Sequence, residues 1–233
     1  MTNSRQIPFL YETPAEVLRS RQQRVVAVGD RRFYLTLPQD TDDLLDHPAI
    51  HSAFEADEYL PYWAEIWPSA LMLGEALLTE PWPQGSLALE IGCGLGLAGL
   101  TALSLGMRVI FSDYDAAALQ FAAENAAMNG FDQFDLCQID WRHPPPDLQV
   151  PLILAADVIY EARNVEPLVA LMTKLLLPGG ACWLVDPNRS YAEDFRAALT
   201  QSRLAFETTA RQVTPPGQKT VHGTLYRIRQ ERS

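Results

Sequence analysis

From residue 68 onward, runs with apolar residues at helical spacing alternate with short runs that are apolar almost throughout. The helical runs are Pro68 to Leu78, Leu97 to Leu105, Ala116 to Met128 and Val165 to Leu177. Pro68 suits a first helical turn, and Asn129-Gly130 and Pro178-Gly179-Gly180 act as stops. The strand-like runs are Leu87 to Ile91, Arg108 to Ser112, Phe134 to Ile139, Pro151 to Ala156 and Ala181 to Val185. Apolar strands separated by helices predict an α/β fold: a mostly parallel sheet, helices on both faces, right-handed crossovers, and a ligand at the carboxyl ends of the strands. Ser190-Tyr-Ala-Glu193 reads as a capping box opening a further helix. The β-rich runs Ala205 to Val213 and Val221 to Arg229 follow it with only Pro215-Pro216-Gly217 as punctuation, so an antiparallel hairpin at a sheet edge is expected.

The first part of the chain reads differently. Thr13-Pro14-Ala15-Glu16 is a capping box for a short helix, and Arg24 to Val28 and Arg31 to Leu37 flank Gly29-Asp30 as a hairpin. Asp40 to Asp46 reads as a solvated acidic linker, or alternatively as a contact for a basic substrate. Residues 1–60 are therefore expected as an extension of helix plus β-hairpin packed on the core, and residues 61–233 as the main domain.

Composition narrows the function. A chain of 233 residues that is 48% hydrophobic can bury one full core. Its net charge of −11 opposes phosphate backbones and favours basic partners, with plain solubility as the simpler explanation, so nucleic acid is not expected as substrate. Met1 to Leu10 lacks a basic start followed by an apolar core, and no run approaches the roughly 18 apolar residues of a membrane span, so a soluble, cytoplasmic protein is expected. The cysteines at 93, 137 and 182 form no C-x-x-C pair and should be reduced, and the histidines at 47, 51, 143 and 222 lack ligand spacing, so no metal is called for.

The chemistry concentrates in Leu87-Ala-Leu-Glu-Ile-Gly-Cys-Gly-Leu-Gly-Leu-Ala-Gly-Leu100. An apolar strand carrying Glu90 runs into glycines at 92, 94, 96 and 99, ahead of a helix whose N-terminus faces any ligand there. Gly94-Leu-Gly96-Leu-Ala-Gly99 also satisfies the dinucleotide fingerprint, which leaves an NAD-dependent oxidoreductase as an alternative class. Pyrophosphate is repelled by a nearby anion, whereas S-adenosylmethionine (SAM) carries a sulfonium and an ammonium, so Glu90 favours SAM unless its carboxylate is tied to a neighbouring amide.

Further candidates fall at the ends of the other strands. Asp113 can accept both ribose hydroxyls, with Tyr114 beside the adenine, and Asp115 suits the helix cap. Asp140-Trp141 offers a carboxylate for an exocyclic amine and an indole for a base. Asp157 and Tyr160, in Asp157-Val-Ile-Tyr160, could hold an amine in place for an in-line displacement. Within Pro61-Tyr-Trp63-Ala-Glu-Ile-Trp67-Pro-Ser69, one tryptophan is expected to cover the cofactor, Trp67 more than Trp63.

Together these residues resemble the seven-β-strand SAM-dependent protein methyltransferases, in the group containing the electron-transfer-flavoprotein β-subunit lysine methyltransferase and chaperone lysine methyltransferases. The resemblance runs from about Tyr59 to the C-terminus. The aromatic entry motif is similar to Trp63-Ala-Glu-Ile-Trp67-Pro, the acid-glycine loop to Glu90-Ile-Gly92-Cys-Gly94-Leu-Gly96, and the D-x-x-Y motif to Asp157-Val-Ile-Tyr160. Asp186-Pro187-Asn188-Arg189 resembles an Asp-Pro-Gly-Arg segment of the flavoprotein branch, with Asn188 at the glycine position. The resemblance implies a seven-stranded Rossmann-like sheet of order 3-2-1-4-5-7-6. It also implies SAM held by Trp67, Glu90, Gly92, Gly94, Asp113, Trp141 and Ala156, with Asp157 and Tyr160 catalytic; Gly96, Tyr114 and Asp140 join the expected cofactor site by their places in the loop and at the strand ends. A protein lysine is then the expected acceptor and a small nitrogen compound the alternative.

Overall fold

The computed structural model describes Thr13, residues 18–202 and residues 204–230. The helix expected from the first capping box and the segment Met1 to Leu10 lie outside the described residues, apart from Thr13. Strands β1 (Arg21–Val28) and β2 (Arg31–Pro38) form an antiparallel hairpin. Helices α1 (Thr41–Leu45) and α2 (Pro48–Asp57) come next, so the acidic stretch is not a linker. Asp40 Oδ1 accepts from the Asp42 N–H at 2.9 Å, and Leu44 turns into the core. The pattern of 48–57 gave little warning of α2, because Ile50 is its one fully buried side chain.

Helix α3 (Pro68–Leu78) leads into the alternating core: β3 (Leu87–Ile91), α4 (Leu97–Ser104), β4 (Arg108–Asp113), α5 (Ala116–Met128), β5 (Phe134–Gln138), β6 (Val150–Ala156), α6 (Val165–Leu175), β7 (Leu176–Asp186), α7 (Ala192–Gln201), β8 (Leu204–Val213) and β9 (Val221–Gln230). The seven-stranded sheet runs β5-β4-β3-β6-β7-β9-β8. In chain order of the sheet's own strands that is 3-2-1-4-5-7-6. The strands β5 to β7 pair in parallel, and β9 runs antiparallel between β7 and β8.

Apolar side chains of α3 and α4, such as Leu73, Leu77 and Leu100, cover one face with Phe111 and Leu154; α6 and α7 cover the other with Leu168, Met172, Phe195 and Leu199. Burial on both faces is why β3 and β6 read as continuous apolar runs. Two boundaries differ from expectation. Strand β7 begins at Leu176 and runs through Pro178-Gly179-Gly180, with a register shift against β6 between Val150 and Leu152. Helix α7 is capped at Tyr191 with no side-chain bond, so the second capping box does not form; Glu193 and Asp194 in the first turn favour the helix through its dipole instead.

The hairpin is held to the core by amides. Asn129 exchanges hydrogen bonds with the backbone of Tyr34 (2.9 and 2.7 Å), and Asn125 does so with Thr36 (2.7 and 3.2 Å), one helical turn apart on α5. Among the described residues no helix is long and apolar enough to cross a membrane.

Candidate functional site

A cleft open to solvent lies at the carboxyl ends of β3, β4, β5 and β6, with the segment from Asp57 to Ala70 along its other side. Sequence-expected residues Trp67, Glu90, Gly92, Gly94, Asp113, Tyr114, Asp140, Trp141, Ala156, Asp157 and Tyr160 all line it. Gly96 does not. It is the left-handed cap of α4, and a Cβ there would press on Phe111 and Ala122.

The loop after β3 brings bare backbone into the cleft. Gly92 has φ 59°, and a Cβ on it would come within 3.0 Å of the Trp141 ring and 3.2 Å of Val158, so a side chain would close the floor. Gly99 serves packing: its Cβ would lie 2.3 Å from Phe111 and 2.5 Å from Glu90 Oε2, and the residue does not line the cleft. The dinucleotide spacing is therefore met by a glycine that lets α4 approach the sheet.

Glu90 and Asp113 sit side by side, both buried. Glu90 Oε2 accepts from the Gly99 N–H (2.9 Å), as a carboxylate tied to a neighbouring amide would, yet the residue also lines the cleft. Burial pushes its carboxyl up to about 8. Asp113 accepts from the N–H groups of Gly94 (2.9 Å) and Asp115 (3.1 Å), and burial, outweighing those bonds, raises it to about 6. A cation entering the cleft would favour the ionised form of these two carboxyls, and a pyrophosphate would oppose it. With the Cβ-free floor and the indole of Trp141, this donor set fits SAM.

Asp140 departs from expectation. Instead of standing open for an adenine amine, Oδ1 accepts from the Arg142 backbone (2.9 Å) and Nε (2.8 Å), and Oδ2 meets Arg142 Nε (3.0 Å) and His143 Nδ1 (3.2 Å). Burial works against its ionisation, but the bonds from Arg142 and His143 outweigh it and hold the carboxyl below its usual range. Arg142 in turn grips Asp57 with two bonds of 3.0 Å, and Arg163 reaches the same carboxylate at 3.4 Å, so the end of α2 is fastened across the mouth.

At the β6 end, Asp157 adopts φ 58°, a left-handed conformation that Asp tolerates better than most residues. Its Oδ1 accepts from Arg189 Nε at 2.5 Å, and the Arg189 guanidinium lies 5.4 Å from the centre of the Trp67 ring. Asn188 has φ 62°, which explains how it stands where the related segment has glycine: Asn is among the few residues that enter this region readily. Tyr160 packs against Tyr62 (ring centres 5.1 Å apart) and Trp141 (6.5 Å), and burial pushes its phenol up. Trp63 is buried on Phe121 with Nε1 bonded to Asp115 (3.0 Å) and also reaches the cleft wall, which Trp67 lines too. The sequence reading missed Asp57, Arg142 and Arg163, which carry no motif and meet only through the fold.

The strand order and the antiparallel seventh strand are those of the SAM-dependent methyltransferase fold. The chain belongs to the lysine methyltransferase family, whose profile matches residues 59–200. It is 29% identical over 125 residues to the histone-arginine methyltransferase METTL23 of Mus musculus, covering 51% of this chain and 49% of that protein. It is 33% identical over 129 residues to the ribosomal protein L11 methyltransferase of Azotobacter vinelandii, covering 54% and 42%. The chain thus spans about half the length of these relatives. Among solved structures its fold is similar to that of the N-methyltransferase NodS from Bradyrhizobium japonicum WM9 in complex with S-adenosylhomocysteine, with TM-score 0.54, 19% identity, and coverage of 80% of this chain and 90% of that one. TrmN from Thermus thermophilus is similar too, with TM-score 0.56, 23% identity, and coverage of 69% and 48%.

Proposed function

We propose that the protein transfers a methyl group to a nitrogen of a protein substrate, with a lysine side chain as the acceptor. The observation that carries this reading is Asp157: a carboxylate at the cleft beside the phenol of Tyr160, where an amine can be held. In this reading residues 61–233 form the methyltransferase domain and residues 1–60 an extension packed on it. Glu90 and Asp113 face the positive and ribose parts of SAM, Gly92 and Gly94 give it room, and Trp67, Tyr114, Trp141 and Ala156 enclose it. When bound, SAM supplies an electrophilic methyl group on a sulfonium sulfur. The protein orients the acceptor, excludes water and accepts N–H bonds, so catalysis is mostly positioning.

Removing the carboxylate in Asp113→Ala should weaken SAM by about 1.5 to 3 kcal/mol, measured by calorimetry, because a charged acceptor for ribose hydroxyls is lost. Unchanged affinity with an intact fold would place the cofactor elsewhere. The acceptor is tested by incubating the protein with labelled SAM and a lysate of the cells that express it, then locating label by mass spectrometry. Label on protein lysine is expected, and label confined to small molecules would overturn the reading. The name of the METTL23 relative supports a second reading, an arginine acceptor, which the same spectra distinguish by the modified residue.

A further inference from the structure

We propose that Arg189 is a positioning residue that neutralises Asp157, so that the acceptor nitrogen meets a hydrogen-bond acceptor carrying no net negative charge. The inference rests on the acceptor role assigned to Asp157 above. Its basis is the geometry at the ends of β6 and β7. Asp157 is 4% exposed at its side chain and lines the cleft, and Arg189 Nε donates to its Oδ1 at 2.5 Å. Oδ2 accepts no hydrogen bond among the described residues, which leaves it for a ligand. Arg189 is fixed from three sides: its N–H donates to Asp186 Oδ1 (2.9 Å), its guanidinium stacks on Trp67, and the left-handed Asn188 before it is bonded to Thr224 (2.7 Å).

A fixed counterion matters because of what the reaction asks of the acceptor. The new N–C bond uses the nitrogen lone pair, the S–C bonding pair stays on sulfur, and the surplus N–H proton leaves to water. A lysine, with an ordinary pKa of about 10.4, must therefore arrive unprotonated. An unpaired carboxylate within about 4 to 6 Å would stabilise the ammonium and oppose this. The Asp157–Arg189 pair keeps the hydrogen-bond acceptor and removes most of the field.

Other charges reach this corner from each neighbouring element. Buried Asp186 at the end of β7 is held up by burial first and then by Asp157. Glu161, after β6, is paired with Arg163, and Asp113 stands at the end of β4. The phenols of Tyr62 and Tyr160 complete the surroundings. None of these residues is substituted below, but Asp186 feels both members of the pair and Tyr62 feels Arg189, so the double variant is the reference that restores the pair's net charge.

The probe is sinefungin, which carries a primary amine where SAM carries its methylsulfonium; S-adenosylhomocysteine, which lacks that charge, is the reference. The ratio of their affinities at pH 7 reads the local charge without any acceptor. Arg189→Gln should raise the preference for sinefungin about tenfold, Arg189→Lys should leave it near wild type, and Asp157→Asn should lower it about tenfold. The double variant Asp157→Asn/Arg189→Gln should return it toward wild type. If Arg189→Gln does not fold, Arg189→Lys and Asp157→Asn still sample two charge states. A ratio that stays flat across variants that bind S-adenosylhomocysteine overturns this inference alone. Failure of the wild type to bind S-adenosylhomocysteine overturns the functional reading on which it rests. With an acceptor in hand, Arg189→Gln should also move the acid limb of kcat/KM to higher pH, by about one unit for a tenfold effect.

Discussion

Asp115→Ala is expected to destabilise the protein by about 3 to 5 kcal/mol, a large part of the stability of a domain this size. The Asp115 carboxylate is fully buried and, among the described residues, accepts from five donors: the Thr13 N–H (3.1 Å) and hydroxyl, the Tyr59 hydroxyl, the Trp63 indole (3.0 Å) and the Ala117 N–H (2.8 Å). Alanine would take the acceptor from the buried Thr13 and Ala117 N–H groups, leave the Trp63 indole only the Tyr59 hydroxyl (3.1 Å), and remove the cap of α5. The loss should spread to the cleft, because the Trp63 backbone packs against Gly94, within 3.2 Å of where a Cβ would stand. Urea unfolding of the two proteins measures it. A change below about 1 kcal/mol would mean that water replaces the carboxylate at this site.

Asp157→Asn and Tyr160→Phe should each lower turnover tenfold or more, at least about 1.4 kcal/mol in transition-state stabilisation, while S-adenosylhomocysteine affinity stays within about twofold. Both groups stand where β6 ends, with Asp157 bonded from behind by Arg189 and Tyr160 wedged between Tyr62 and Trp141. Neither variant removes bulk, so the rings keep their packing, while Asp157→Asn takes away the counterion of Arg189. Normal methylation by both variants would reduce the motif to a structural one. A parallel collapse of cofactor binding would move Asp157 into the cofactor shell.

Much of the fold was legible because periodicity is local. Pro68 to Leu78, Ala116 to Met128 and the strands at 87–91 and 108–113 announce themselves through spacing and punctuation, and the reversed terminal pair follows from the lack of a helix between its strands. Helix α2 was hidden because one buried residue in ten leaves no stripe. At the site, the strand-end positions Glu90, Asp113 and Asp157 were visible from sequence, but the partners of the charged groups were not. Asp140 is bound by Arg142, which also holds Asp57, 85 residues away, and Asp157 is bound by Arg189, 32 residues away. Sequence names an acid at a strand end; only folding decides which cation reaches it first.

The amide pairs from Asn125 and Asn129 bear on how the N-terminal hairpin persists at all. Two strands alone are marginal in water, and their outer edges are open templates for the strands of other chains. On β2, side-chain amides occupy the backbone groups of Tyr34 and Thr36 that an intruding strand would seek. Helix α5 thus acts as a surrogate strand that ends the ladder, and the hairpin keeps its edge shut against self-association only while that helix stays docked.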